Sequence, residues 1–293
     1  MYIATLIVHP ERADLTATTV ESLRNAWGGG EAIWLNPGVA AEFAVETLPE
    51  NRWEAWEGLQ ALGVDLVVQP AEGRRKRILL ADMDSTMINQ ECIDELAAEA
   101  GVGEHVADIT ARAMNGELDF EGALLERVAL LKGLPAEVIG KVLDERITFA
   151  LGGRKLVATM KAHSGHAVLV SGGFTAFSEP VATYLGFDEN RANTLLVEQG
   201  KLSGDVARPI LGREAKVAAL AETCARLGIA ESEVLAVGDG ANDLGMLHRA
   251  GSGVALHAKP SVAAQCELRV NHGDLTALLY LQGYSVDEFV SVP

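Results

Sequence analysis

The apolar positions of this chain fall into two regimes. Over residues 1–71 short runs succeed one another. "YIATLIV" reads as a strand and "LTATTVESLRNAW" as a helix with apolar residues three and four apart. After a "GGG" break, "EAIWLN" and "VAAEFAVET" read as strands, "NRWEAWEGLQALG" as a helix and "VDLVVQP" as a strand. The order β-α-β-β-α-β predicts a small α+β, ferredoxin-like domain over 1–71. No catalytic constellation lies in it. Residues 72–77, "EGRRKR", follow as a linker, and its basic run reads as a solvated connection.

From residue 78 the regime changes. "RILLA" is a short buried strand, and four helical stretches follow over about 91–147: "CIDELAAEAG", "EHVADITARAM", "DFEGALLERVALLKG" and "PAEVIGKVLDERI", with Gly or Pro between them. Strand-like segments then return at "AVLVSGG", "NTLLVEQGKLSG", "EVLAVGDG", "SGVAL" and "ELRV", separated by helical runs. This alternation predicts an α/β domain over 78–293, a Rossmann-like parallel sheet with helices on both faces. The helices of 91–147 become a cap inserted above the sheet edge.

Composition narrows the function. A chain of 293 residues, 48% hydrophobic, can bury a large core and hold two domains. Its formal charge of −17 argues against a general nucleic-acid or anionic-membrane binder, so positive charge for an anionic substrate must be gathered locally. Cys92, Cys224 and Cys266 lack metal-ligand spacing and read as reduced thiols of a cytoplasmic protein. The N-terminus lacks the features of a signal peptide, and no apolar run reaches membrane-spanning length.

Chemistry concentrates at four predicted strand ends, where open α/β sheets hold their ligands. "ADMDST" places Asp82 and Asp84 one residue apart at the end of an apolar strand, a costly position unless the charge is paired or bound to metal. "VSGGF" brings Ser171 and Gly172, "LGREAK" brings Lys216 near a helix start, and "GDGANDLGM" brings Asp239, Asn242 and Asp243. "GDGAND" lacks the third Gly of a dinucleotide fingerprint, and "DMDST" has Met87 and Ile93 where a calcium loop needs Gly and Glu. Each loop alone reads equally well as a turn or a helix cap. The four in this order do not.

Together DMDST, SGG, Lys216 and GDGANDLGM resemble the four motifs of the haloacid dehalogenase superfamily of phosphohydrolases. "NQECIDELA", "ITARAMNGELDFEGALLERVALLKGLP" and "GKLSGDV" extend the likeness, over residues 78 to about 272, to the members that act on phosphoserine. The N-terminal unit looks like the ACT-type regulatory module some relatives carry. The resemblance implies hydrolysis of L-phosphoserine to L-serine and phosphate, the last step of serine biosynthesis, through an aspartyl-phosphate on Asp82. Asp84 would be the general acid and base. Mg²⁺ would be the cofactor, held by Asp82, Asp239 and the Asp84 backbone carbonyl, with Asp243 behind or reached through water. Ser171, Gly172, Lys216 and Asn242 would hold the phosphate. Glu91 would meet the substrate ammonium and Arg127 its carboxylate, with Met114 and Phe120 lining the pocket. Ala81 departs from the family, where Phe often precedes the nucleophile. Another small phosphomonoester, phosphoryl transfer to a different acceptor, and a non-catalytic amino-acid sensor stand as alternatives. For the N-terminal unit three roles stand open: sensing serine, mediating a homodimer, or neither.

Overall fold

The computed structural model describes residues 1–114 and 117–292, the side chains of Ala113 and Met114 excepted. The N-terminal strands are β1 (Tyr2–Ile7), β2 (Ile33–Asn36), β3 (Ala40–Val45) and β4 (Asp65–Pro70), with helices α1 (Ala17–Ala26) and α2 (Arg52–Gln60) between them. They form an antiparallel sheet in the order β2-β3-β1-β4, the ferredoxin-like arrangement that the element order predicts. Alternation along the strands gives this sheet two apolar faces. Ala4, Leu6, Phe43 and Leu66 pack among themselves and with Val20 and Leu59 of the two helices. Ile7, Ala40 and Val67 instead join the core that contains Leu278, Tyr280, Leu281 and Tyr284 from the far end of the chain.

That second face explains where the linker departs from expectation. Arg74 is not solvated: its guanidinium meets the Glu42 carboxylate on two nitrogens, at 3.2 and 2.5 Å, and donates to the carbonyls of Tyr280 and Leu281. Both partners are about nine-tenths buried, because the polar positions of β3 here face the core instead of water. Asp65 and Gln69 of β4 share that face and bond to Asn271–Gly273 and to the Leu281 carbonyl.

The main sheet is built from β5 (Ile78–Ala81), β6 (His166–Phe174), β7 (Glu189–Asn193), β10 (Val234–Gly238), β11 (Ser252–Leu256) and β12 (Leu268–Val270). Its order is β12-β11-β10-β5-β6-β7 and every pairing is parallel. Helices α7 (Gly153–Ala162), α8 (Thr175–Leu185), α9 (Arg213–Leu227), α10 (Leu244–Arg249), α11 (Pro260–Ala263) and α12 (Ala277–Leu281) accompany it. The cap carries α3 (Cys92–Glu99), α4 (Gly103–Met114), α5 (Phe120–Ala129) and α6 (Val138–Glu145), inserted between β5 and α7.

One segment differs from the sequence reading. "NTLLVEQGKLSG" does not join the parallel sheet but folds into a separate hairpin of β8 (Leu195–Glu198) and β9 (Lys201–Val206). Gln199 and Gly200 take φ of 51° and 76°, and positive φ at both central residues favours a tight two-residue hairpin turn. The edge position falls to β7, "ENRAN", whose polar residues suit an edge strand and give no hydrophobic signal.

Candidate active site

Strand β5 ends at Ala81, and the Asp82 N–H still donates to Val237 of β10 at 3.0 Å, so the chain leaves the sheet in register. Asp82 is 5% exposed. Lys216, in the first turn of α9, is 1% exposed and its Nζ lies 2.6 Å from Asp82 Oδ1 and 2.5 Å from Asp243 Oδ1. The other Asp243 oxygen accepts the Gly240 N–H at 3.0 Å. At Gly238 a β-carbon would fall 2.4 Å from the Asp243 carboxyl carbon, so only glycine lets that carboxylate fold back over the strand end.

The third acid, Asp239, accepts the Thr86 hydroxyl at 3.2 Å. One oxygen from each of Asp82, Asp239 and Asp243 lies within 4.8 Å of the others. Burial, and then the Asp243 charge, push both Asp82 and Asp239 above the usual carboxylate range; Lys216 opposes this for Asp82 and Thr86 for Asp239. Burial alone would lower Lys216, but Asp82 and Asp243 outweigh it and hold the ammonium charged. Three acids face one lysine. That excess of buried negative charge, on an all-oxygen donor set, fits a hard divalent cation.

Asp84 turns away from this cluster. Its Oδ2 accepts the Ser171 hydroxyl at 3.1 Å and its Oδ1 the Cys92 N–H at 2.8 Å, so the carboxylate is clamped between β6 and the first residue of α3. Ser171 Oγ in turn accepts the Gly173 N–H at 2.8 Å, which shapes the SGG loop. The Phe120 ring closes over that loop: a β-carbon at Gly172 or at Gly212 would meet it at 3.0 Å. Asn242 crowds Gly240, where a β-carbon would lie 2.3 Å from its Oδ1.

The cap supplies the remaining groups. Glu91, immediately ahead of α3, accepts the Ser85 hydroxyl at 2.8 Å. Its residue surface is open to solvent, but its carboxyl group faces inward, and desolvation together with the Asp84 charge pushes it up to about 7. Arg127, in the last turn of α5, donates Nε to its own helix at Ala123 O, 3.1 Å away. Burial lowers its pKa, while Asp94, Glu91 and Asp84 pull it back up. Among the described residues its guanidinium forms no ion pair, and Ala123 O is its hydrogen-bond partner. Met114, expected to line the pocket, has a side chain outside the described residues.

Three residues that hold the site together escaped the sequence reading as site residues. Ser85 and Thr86 bond to Glu91 and Asp239, and the hydroxyl pair beside the acids was the available signal. Asn193 had none. At the end of β7 and 2% exposed, it donates to Gly172 O at 2.8 Å and Leu211 O at 3.1 Å and accepts the Leu211 N–H at 2.7 Å. It thereby ties the SGG loop to the loop ahead of α9. A cavity of about 510 Å³ lies elsewhere, between β4 and the starts of β11 and β12, with Arg52 and Arg74 in its walls paired to Glu267 and Glu42.

Residues 79–248 match the family model of haloacid dehalogenase-like hydrolases. The chain belongs to that family, and its long-range likeness is to phosphoserine phosphatases. It is 40% identical to the phosphoserine phosphatase of Streptomyces coelicolor over 294 residues, 98% of this chain and 71% of that one. A HAD family hydrolase of Salmonella enterica serovar Typhi superposes with a TM-score of 0.85 at 28% identity, covering 96% of this chain and 98% of that one. A phosphoserine phosphatase solved as a phospho-aspartyl intermediate analogue matches with a TM-score of 0.66 at 40% identity, covering 70% of this chain and 98% of that one.

Proposed function

We propose that the chain hydrolyses L-phosphoserine to L-serine and phosphate through a phosphoaspartate on Asp82. The observation that carries the reading is the buried Asp82–Lys216–Asp243 arrangement with Asp84 clamped two residues further on. An Asp82 oxygen attacks phosphorus while the phosphorus–oxygen bond to serine breaks, and Asp84, protonated at that stage, gives its proton to the departing seryl oxygen. Asp84 then takes a proton from the water that attacks the phosphoaspartate, which returns Asp82 free and releases phosphate. Lys216, Ser171, the Gly172 N–H and Asn242 face the charge on the transferring group. Asp82 and Asp239 would hold Mg²⁺ with the Asp84 backbone carbonyl, and Asp243, whose two oxygens already accept hydrogen bonds, would sit behind them. Bound there, Mg²⁺ would neutralise the phosphate and the carboxylates.

Glu91 and Arg127 give the cap its selectivity, one for the substrate ammonium and one for its carboxylate, with Phe120 covering the phosphate loop. On this reading residues 1–71 are an ACT-like unit, 72–77 a linker and 78–293 the phosphatase domain with its cap over about 91–147. The three buried, unpaired cysteines support a cytoplasmic setting. No helix among the described residues is long and apolar enough to cross a membrane. Phosphate release across a panel of phosphomonoesters tests the reading: L-phosphoserine should lead the panel, only with Mg²⁺ present. Full turnover in excess chelator, or a clear preference for a phosphate ester without an amino-acid moiety, would overturn it.

A further inference from the structure

Asp65 is the first residue of β4 and fully buried. Its Oδ1 accepts the Asn271 N–H at 2.8 Å, and its Oδ2 those of His272 at 3.0 Å and Gly273 at 2.7 Å. Three successive backbone donors of the loop after β12 thus converge on one carboxylate of the N-terminal sheet. Gln60 adds a side-chain bond to Asn271 at 2.8 Å.

The gripped loop continues into the hinge of the cap. Leu275 N–H donates to Leu151 O at 3.1 Å. Gly152, with φ of 80°, is so closely covered that a β-carbon there would meet Thr276 N at 2.8 Å and Asp274 Oδ2 at 2.9 Å. Residues 148–150 are the return segment of the cap and lie against its entry segment across the single Ile88–Phe149 bridge: Asn89 N–H reaches Thr148 O at 3.0 Å, Thr148 N–H reaches the Gln90 side-chain Oε1 at 2.9 Å and Ala150 N–H reaches Met87 O at 3.0 Å. The entry segment runs directly into Glu91 and into Cys92, whose N–H holds Asp84.

We propose that Asp65 is a positioning residue for the reaction: by gripping Asn271–Gly273 it fixes the base on which the cap hinge rests, and so lets the N-terminal sheet set how tightly the cap presents Glu91 and Arg127. A loosened base widens the range of cap positions and costs preorganisation of those two groups. The kinetic part rests on the phosphoserine reading; the hinge part does not.

The test compares the full-length wild type with Asp65→Asn, which keeps the volume but turns an NH₂ group toward backbone donors. Hydrogen exchange should quicken at the hinge amides of residues 89, 148 and 150, by about 2- to 30-fold. KM for phosphoserine should rise by a similar factor while turnover of p-nitrophenyl phosphate, which offers nothing to Glu91 or Arg127, stays within about twofold. Asn36→Ala is the control. It removes a different bond across the same interface, Asn36 Nδ2 to Tyr280 Oη at 2.8 Å, and should lower Tm without touching the hinge amides. Unchanged hinge exchange in Asp65→Asn overturns the proposal. A wild type with no preference for phosphoserine would sink the substrate reading instead and leave exchange to decide. Should Asp65→Asn fail to fold, native-state exchange of the wild type in low denaturant decides: the amides of 271–273 and of the hinge should open as one unit, and separate openings refute the coupling.

Discussion

Replacing Arg127 by alanine separates recognition of the substrate from the chemistry. The guanidinium sits half-buried on the cap, bonded only to its own helix among the described residues and within electrostatic reach of Glu91 and Asp84. Its charge is therefore desolvated and available for an incoming carboxylate, with which it can form a charge-assisted, two-pronged pair. Leaving that carboxylate unpaired in a closed site costs about 2–5 kcal/mol. At 1.4 kcal/mol per tenfold, Arg127→Ala should lower kcat/KM for phosphoserine by roughly one and a half to three and a half powers of ten. The assay runs phosphoserine and p-nitrophenyl phosphate side by side. On the proposed mechanism both use Asp82, Asp84 and Lys216, so damage to the reacting centre lowers both, and the ratio isolates the cap. Equal losses on the two substrates would refute the reasoning and assign Arg127 to holding the cap or the phosphate.

Three further outcomes follow from the packing and the charges. Asn193→Ala cuts the one bond its side chain makes to Gly172 and the two it makes to Leu211, at about 1 kcal/mol per bond; kcat/KM should fall by about tenfold or more on both substrates alike, and a loss confined to phosphoserine would contradict its assignment to the phosphate loops. Glu91, raised to about 7 by burial and by Asp84, becomes neutral as the pH falls, and on the proposed reading it can then no longer pair with the substrate ammonium. Bound Mg²⁺ and substrate both favour its carboxylate, so the ratio of phosphoserine to p-nitrophenyl phosphate activity should drop below pH 7, and a ratio flat on the acid side refutes the pairing. Deleting residues 1–73 removes the Asn36 and Gln69 partners of Tyr280 and Leu281 and uncovers these two residues, each about 2% exposed or less; at about 1.5–3 kcal/mol per side chain the truncated core should be marginally stable and bind apolar dyes. A truncated protein as stable as the full chain would show that the shared core contributes little.

Much of this was legible in the residues. The acids and the SGG turn stand at or near strand ends because apolar runs stop there, Lys216 stands in the first turn of a helix, and both the runs and their order are sequence properties. Cap helices were readable from their period, and the N-terminal sheet from its element order. What escaped has a common cause. Asp65, Glu42 and Arg74 are polar residues on a strand face or in a basic run, and they look solvated until a second apolar face is known to cover them. Asn193 lies in a strand with no hydrophobic signature, and its partners are backbone atoms, which leave no mark on spacing. The hairpin at residues 195–206 carried strand-like residues, yet nothing local says which sheet they join.

The central claim is that Asp82 carries the phosphoryl group. Acid-quenching the enzyme during turnover of phosphoserine with Mg²⁺, then reducing with borohydride, converts an aspartyl-phosphate to homoserine at the residue that held it. Peptide mass analysis should find homoserine at position 82 and nowhere else, and none in an Asp82→Asn variant, which should also be folded and inactive. Homoserine at Asp84, Asp239 or Asp243, or an Asp82→Asn variant that keeps turning over, would contradict the account.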